Sequence, residues 1–162
     1  MSFDRATRNL LAGSIGKIRE RLKTGVMDEL RRLGFQDDGT VLALASIGGL
    51  TERERSAAGE LRALLRHLIA AEGGADGAGT KGWSEREVAR AAYDRMAREI
   101  GFTTLNRLVA LRMAEERKLI LQSVGAGLAS TGFQIYERLA NGALGGRHES
   151  YRAYLECLYD EI

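Results

Sequence analysis

Hydrophobic residues recur at every third or fourth position along most of the chain, which is the spacing of one face of an α-helix. The pattern predicts a helix over residues 14–33, ended by Gly34 with Phe35 packed back on its last turn. A short helix is expected before it over residues 4–11, bent or broken near Gly13. The most regular stripe runs from about residue 149 to the last residue, and its apolar members are Tyr151, Tyr154, Leu155, Leu158, Tyr159 and Ile162.

Two motifs mark where further helices begin. Thr51 with Glu54, and Ser84 with Glu87, match the capping box, in which a hydroxyl and a carboxylate satisfy the free amides of a first helical turn. The first motif opens a predicted helix that runs to about residue 72. The second opens a helix that runs to about residue 118, with a candidate interruption at residues 101–103.

Signals for strands are weak. Residues 41–47 form a short apolar run that fits either an isolated strand or a buried loop, and no second strand candidate exists to pair with it. Residues 119–132 are ambiguous, and a helix is expected over residues 131–140. We therefore predict an all-α fold, an irregular bundle of five or six helices without a substantial sheet. It would form a single domain over residues 1–162, with a flexible glycine-rich loop at 73–82.

The composition agrees with a helical protein and excludes some stabilising devices. The 162 residues include no proline and few aromatic residues. One cysteine, Cys157, cannot form an internal disulfide, and with only His67 and His148 it cannot complete a structural zinc site. No apolar run reaches the length of a membrane span, and the first residues contain no signal core. We expect a cytoplasmic protein.

Charge is nearly balanced overall but not locally. The chain has 24 basic and 22 acidic residues. Residues 1–33 contain a surplus of basic residues, among which Lys17 and Arg21 are candidates for contact with nucleic acid or a neighbouring domain. Arginine-rich composition suits phosphate recognition. A solvated helix face and a compositional bias toward arginine explain the same pattern, and the alternatives stay open at this point.

Familiar reaction centres are not predicted. In residues 74–81 the threonine precedes the lysine, the reverse of the order in a phosphate-binding loop. Residues 124–127 have a Gly-x-Gly pattern but no sheet to support a cofactor turn, so we interpret them as a loop between helices. His67 and His148 have no visible catalytic partner. We predict no catalytic, cofactor-binding or metal-binding residue in this chain.

The segment 102–120 has more specific content. Asn106 and Arg107 are polar residues at the base of an apolar turn, and Arg112 falls on the apolar stripe itself. An arginine in that position needs a partner. Glu115 and Glu116 follow it at the spacings that form ion pairs on a helix. A phosphate or a neighbouring domain are the alternative partners, so Asn106, Arg107 and Arg112 are candidate contact residues.

This segment resembles a known family. The resemblance is carried by Leu105-Asn106-Arg107-Leu108-Val109-Ala110-Leu111-Arg112, followed by Met113-Ala114-Glu115 and a closing Ile120. The run looks like the F-N-R-L-x-A-[LI]-R-x-M-E helix near the N-terminus of large adenine-specific DNA methyltransferases, which include PglX-type phage-exclusion enzymes and restriction-modification methylases. The order also matches, with an early helix over residues 17–33 that ends in Leu-Gly-Phe. Leu105 replaces the usual aromatic residue, and Ala114 and Glu115 stand where the family often has Met-Glu.

The resemblance implies a helical region before a catalytic domain that binds S-adenosylmethionine and flips adenine out of the duplex. The family's catalytic signature contains two prolines, and this sequence has none. The chain is therefore expected to be a non-catalytic N-terminal fragment of a longer enzyme. It would contact DNA phosphates through arginines and brace the catalytic domain through the terminal stripe, whose candidates are Tyr151, Tyr154, Leu155, Leu158 and Tyr159.

Two other functions remain open. One is a freestanding interaction protein, such as a small dimer or an antitoxin-like partner, whose terminal stripe forms the interface. The other is a small nucleic-acid-binding domain that uses the basic first helix.

Overall fold

The computed structural model describes residues 4–73, 82–141, 143 and 145–161. Across these residues the chain forms five α-helices and no sheet, which confirms the predicted all-α class. A single antiparallel bridge joins Phe35 to Val41. The helices are α1 (Arg5–Arg32), α2 (Glu52–Gly73), α3 (Glu85–Glu116), α4 (Thr131–Ala140) and α5 (Arg147–Glu161), with 3-10 turns at Leu44–Ser46 and Gly127–Ala129.

The chain divides into two compact units, of which the first ends at Phe102 and the second begins at Thr103. The prediction of one domain over residues 1–162 stays a prediction. Most of the predicted glycine-rich loop, residues 74–81, lies outside the described residues. In the described parts of the chain, no helix combines the length and apolar character needed to cross a lipid bilayer.

The predicted helix boundaries are largely confirmed at their caps. Gly34 has a φ of +89°, and its N–H donates to the carbonyl of Arg31, while Phe35 is fully buried. At the start of α2 the N–H of Thr51 donates to Glu54 over 2.7 Å. At the start of α3 the equivalent bond to Glu87 is also 2.7 Å. Both capping boxes therefore close as the sequence predicts.

Two predicted helix breaks are wrong. α1 continues through Gly13, because one glycine in a helix costs only about 1 kcal/mol and leaves the ladder of backbone hydrogen bonds complete. α3 continues through residues 101–103. The backbone hydrogen bonds continue through Gly101, because one glycine costs a helix only about 1 kcal/mol.

The run over residues 41–47 is neither of the two predicted forms. Val41 makes one bridge and then lies with Leu42 at the surface, and the chain turns into the short 3-10 helix at Leu44–Ser46. The pairing with the segment after α1 ends at Leu42, because the chain then turns into the 3-10 helix.

The core of the first unit lies where α1, α2 and α3 present buried apolar residues. Its fully or nearly fully buried members include Leu30, Phe35, Ala58, Leu65, Tyr93 and Met96. The apolar stripe of α1 extends past this core, because Ile15 and Ile18 continue it toward the N-terminus and are 44% and 45% exposed. The smaller core of the second unit contains Leu111, Phe133 and Tyr154.

Candidate functional site

The end of α3 has two different faces within the second unit. Leu111 and Glu115 lie on the inner face and are buried. Asn106, Val109 and Met113 follow one another at helical spacing on the outer face and are exposed. The segment that carries the family resemblance is thus fixed on one side and open on the other.

Glu115 is held by the backbone of the loop after α3. The N–H groups of Ser123 and Val124 both donate to one oxygen of its carboxylate, and the N–H of Gly125 lies 3.2 Å from the other. Arg112 donates from Nη1 to that second oxygen over 2.7 Å. The side chain of Glu115 is only 3% exposed. Three successive amides therefore form an anion-binding loop that the chain's own carboxylate fills.

Arg112 completes this cluster from the surface. Its Nη2 lies 2.5 Å from the carboxylate of Glu116, so the guanidinium joins both glutamates. This confirms the internal ion pairs predicted from the i+3 and i+4 spacing. A Cβ added at Gly125 would lie 2.8 Å from Arg112 Nη1, so a larger residue there would displace the guanidinium from Glu115.

The electrostatics of Glu115 follow from these contacts. Burial alone raises the pKa of Glu115. The amides of Val124, Ser123 and Gly125 together with Arg112 outweigh it, and the pKa of Glu115 lies below its ordinary value of 4.5. The pKa of Arg112 is raised, first by the hydrogen bond of Arg112 to Glu115 and then by the charge of Glu116. The cluster thus favours both charged forms.

The predicted interface stripe of α5 packs largely within the unit. Tyr154 is buried, and its hydroxyl shares a hydrogen bond of 2.5 Å with the Oγ of Ser123. Tyr151 donates from its hydroxyl to the carbonyl of Ser123 and meets the ring of Phe133 edge-on at 5.1 Å. The expectation of an exposed stripe is therefore wrong for Tyr154, because α4 places Phe133 against it.

The other interface candidates on the α5 stripe are intermediate in their exposure to solvent. Leu155, Leu158 and Tyr159 are each partly buried. Tyr159 carries the guanidinium of Arg107 at 5.5 Å above its ring, which is a cation–π contact within the chain. The structure thus brings Arg107 and Tyr159 together, whereas Asn106 remains at the surface without such a partner in the contacts described.

The basic candidates on α1 are separate from this cluster. Lys17 and Arg21 are exposed, and within the described part of the chain neither pairs with a carboxylate. They lie in the first unit, whereas Asn106, Arg107 and Arg112 lie in the second.

Some residues of the cluster around Glu115 were not predicted from the sequence. Ser123, Gly125 and Gly132 gave no signal as members of a cluster, although a Cβ at Gly132 would lie 2.2 Å from the hydroxyl of Tyr154. The pattern that could have found them is a carboxylate in the last turn of a helix, followed within ten residues by a serine and a glycine. Small residues of this kind let successive amides approach one anion.

Comparisons of this chain with protein-family models, with curated proteins and with solved structures give no match.

Proposed function

We propose that the chain is a non-catalytic helical module of a bacterial defence or restriction-modification N6-adenine DNA methyltransferase. It would act in the cytoplasm and brace the catalytic domain, which would itself bind S-adenosylmethionine. The observation that carries this proposal is the two-sided motif helix, whose inner face is fixed by Glu115 and whose outer face remains uncovered.

The outer face suits contact with another domain. Val109 and Met113 are one turn apart, and each is 48% exposed. Fully burying a side chain of this kind stabilises an assembly by about 1.5–3 kcal/mol, and these two have about half of that still to gain. Asn106 lies one turn before Val109 and adds a polar group that can donate and accept hydrogen bonds.

Contact with DNA phosphates would fall to different residues. Arg112 is engaged by two glutamates, and Arg107 lies over Tyr159. Lys17 and Arg21 on α1 are the candidates whose charge is not neutralised in the described structure. A role in DNA contact therefore depends on α1 and not on the motif helix.

The bracing role is tested by making the outer face acidic. The chain would be co-expressed with the catalytic domain of a PglX-type methyltransferase from the same genome, and co-elution would be measured by size-exclusion chromatography. We expect the double variant Val109→Glu with Met113→Glu to weaken association roughly tenfold or more. Leu139→Glu, on α4 and 81% exposed, is the matched control and should leave association intact.

Circular dichroism establishes that both variants keep the helical fold. If the wild-type chain does not associate with a catalytic domain, or if both variants associate as the wild type does, the bracing role is rejected.

The DNA contact is tested through its dependence on salt. Binding of duplex DNA would be measured over a range of salt concentrations for the wild type and for Lys17→Ala with Arg21→Ala. We expect the slope of log affinity against log salt to shrink by about two in the variant. Arg90→Ala with Arg98→Ala removes two exposed cations of α3 and should keep the slope. An absence of duplex binding at low salt removes this part of the proposal and leaves the bracing role standing.

A further inference from the structure

A groove in the first unit lies between α2 and the loop that follows the α1 cap. Its volume is about 420 Å³, within the range of pockets that bind small molecules. Most of its wall is aliphatic, and both charged side chains in the wall are arginines. The lining residues are Val41, Leu42, Leu44, Leu65 and Ile69, with Gly39, Gly59, Arg62 and Arg66.

Arg62 is fixed in this wall without an anionic partner. Its guanidinium donates to the carbonyls of Ala58, Leu33 and Leu42 over 2.9, 3.0 and 3.1 Å, and lies 5.1 Å above the ring of Phe35. No carboxylate pairs with it anywhere in the described ranges. The carbonyls and the ring of Phe35 hold the guanidinium in place, but no carboxylate neutralises its formal charge within the described residues. Burial of that charge lowers the pKa of Arg62, as expected for a cation with no counter-ion.

Arg66 adds a second cation one turn further along α2. It is exposed, and it too has no carboxylate partner in the part of the chain that the structure describes. Like charges four residues apart on a helix repel each other, which makes the proximity of Arg62 and Arg66 mildly unfavourable. An anion placed between the two guanidinium groups would reverse the sign of this interaction. The bonds to carbonyls use three of the five N–H donors of Arg62, which leaves two for such a ligand.

We propose that this groove binds a small aliphatic carboxylate, with its carboxylate between Arg62 and Arg66 and its hydrocarbon chain along the leucine and isoleucine side chains. The combination of an apolar wall with two guanidinium groups that have no carboxylate partner in the described residues selects this chemistry. A cationic or neutral amphiphile would fill the same wall but would find no partner at its head. A small hydrophilic anion would find the charges but would leave the wall uncovered.

Gly59 offers a variant that closes the groove without damaging the fold. It lies on α2 in the groove wall, and an added Cβ there meets nothing within 4 Å. Leucine at this position would occupy the groove while improving helix propensity. Arg66→Gln removes the exposed cation and keeps a side chain of similar length. Both substitutions avoid Arg62, whose bonds to three carbonyls also hold the fold.

The test follows the methyl signals of Leu42, Leu44, Leu65 and Ile69 by NMR while octanoate is titrated into the full chain at up to about 10 mM. We expect saturable shifts confined to these methyl groups. Octylammonium and acetate should give none. Arg66→Gln should weaken octanoate binding about fivefold or more, and Gly59→Leu should abolish it.

Three outcomes would overturn the proposal. The first is the absence of shifts with octanoate over the whole titration. The second is equal shifts with octanoate and octylammonium, since that would show an apolar surface that does not distinguish between a negative and a positive head group. The third is unchanged octanoate binding by Gly59→Leu in a chain that keeps its helical circular dichroism.

Discussion

Replacing Glu115 with alanine is expected to lower the free energy of unfolding by at least about 1.5–3 kcal/mol, the range for a hydrogen bond to a charged group. The substitution removes the acceptor of the amides of Ser123, Val124 and Gly125, of which Ser123 is buried and cannot turn to water instead. It also leaves Arg112 with only its outer partner. Urea denaturation followed by circular dichroism measures the loss.

Glu116→Ala is the matched control, because it removes the other glutamate of the cluster from a side chain that is 65% exposed. Little change is expected there. If Glu115→Ala lowers the free energy of unfolding no more than Glu116→Ala does, the anion-binding loop around Glu115 does not stabilise the fold as described.

Acid provides a second readout of the same residue. The pKa of Glu115 is lower in the folded chain than its ordinary value of 4.5. Its charge therefore stabilises the fold in full above about pH 4.5, and this stabilisation is lost as the pH falls through the depressed folded pKa. The free energy of unfolding of Glu115→Gln should therefore lack this part of its decrease at acid pH.

Replacing Gly39 with alanine is expected to lower the free energy of unfolding by roughly 2–4 kcal/mol, from two separate costs. The residue has a φ of +84°, which disfavours any side chain. An alanine Cβ would also lie 2.3 Å from the carbonyl oxygen of Ala89. Because that neighbour is backbone within α3, the turn itself would have to move away. Thermal unfolding and urea denaturation both measure the effect.

Gly49 separates the two costs. Its φ is +76°, but a Cβ there meets nothing within 4 Å. Gly49→Ala should therefore show only the cost of the left-handed backbone, about 1–2 kcal/mol. Equal losses at positions 39 and 49 would mean that the contact with Ala89 relaxes without cost.

The parts of the fold that sequence predicted were those governed by local chemistry. The hydroxyl and carboxylate of Thr51 and Glu54 satisfy amides within one turn, so the start of α2 needs no distant residue. Gly34 ends α1 for an equally local reason, its positive φ. The ion pair between Arg112 and Glu115 belongs to the same class, since spacing on one helix places the two side chains together.

The parts that sequence did not predict depend on distant packing. The spacing around Gly13 predicts a helix break, yet α1 is continuous there, because the hydrogen bonds of the neighbouring turns outweigh the small cost of one glycine. The burial of Tyr154 depends on where α4 places Phe133. The bonds from three loop amides to Glu115 depend on the path of residues 123–125, which have no periodic pattern from which that path could be predicted.

Glu115 and the amides of its anion-binding loop are close together in sequence, and this has a consequence for folding. The carboxylate and its amide donors are separated by only 8 to 10 residues. Closing a loop of about ten residues takes on the order of 10–100 ns and costs little chain entropy. The contact of Glu115 with its amide donors is therefore local in sequence, and making it does not require α4 or α5 to be in place.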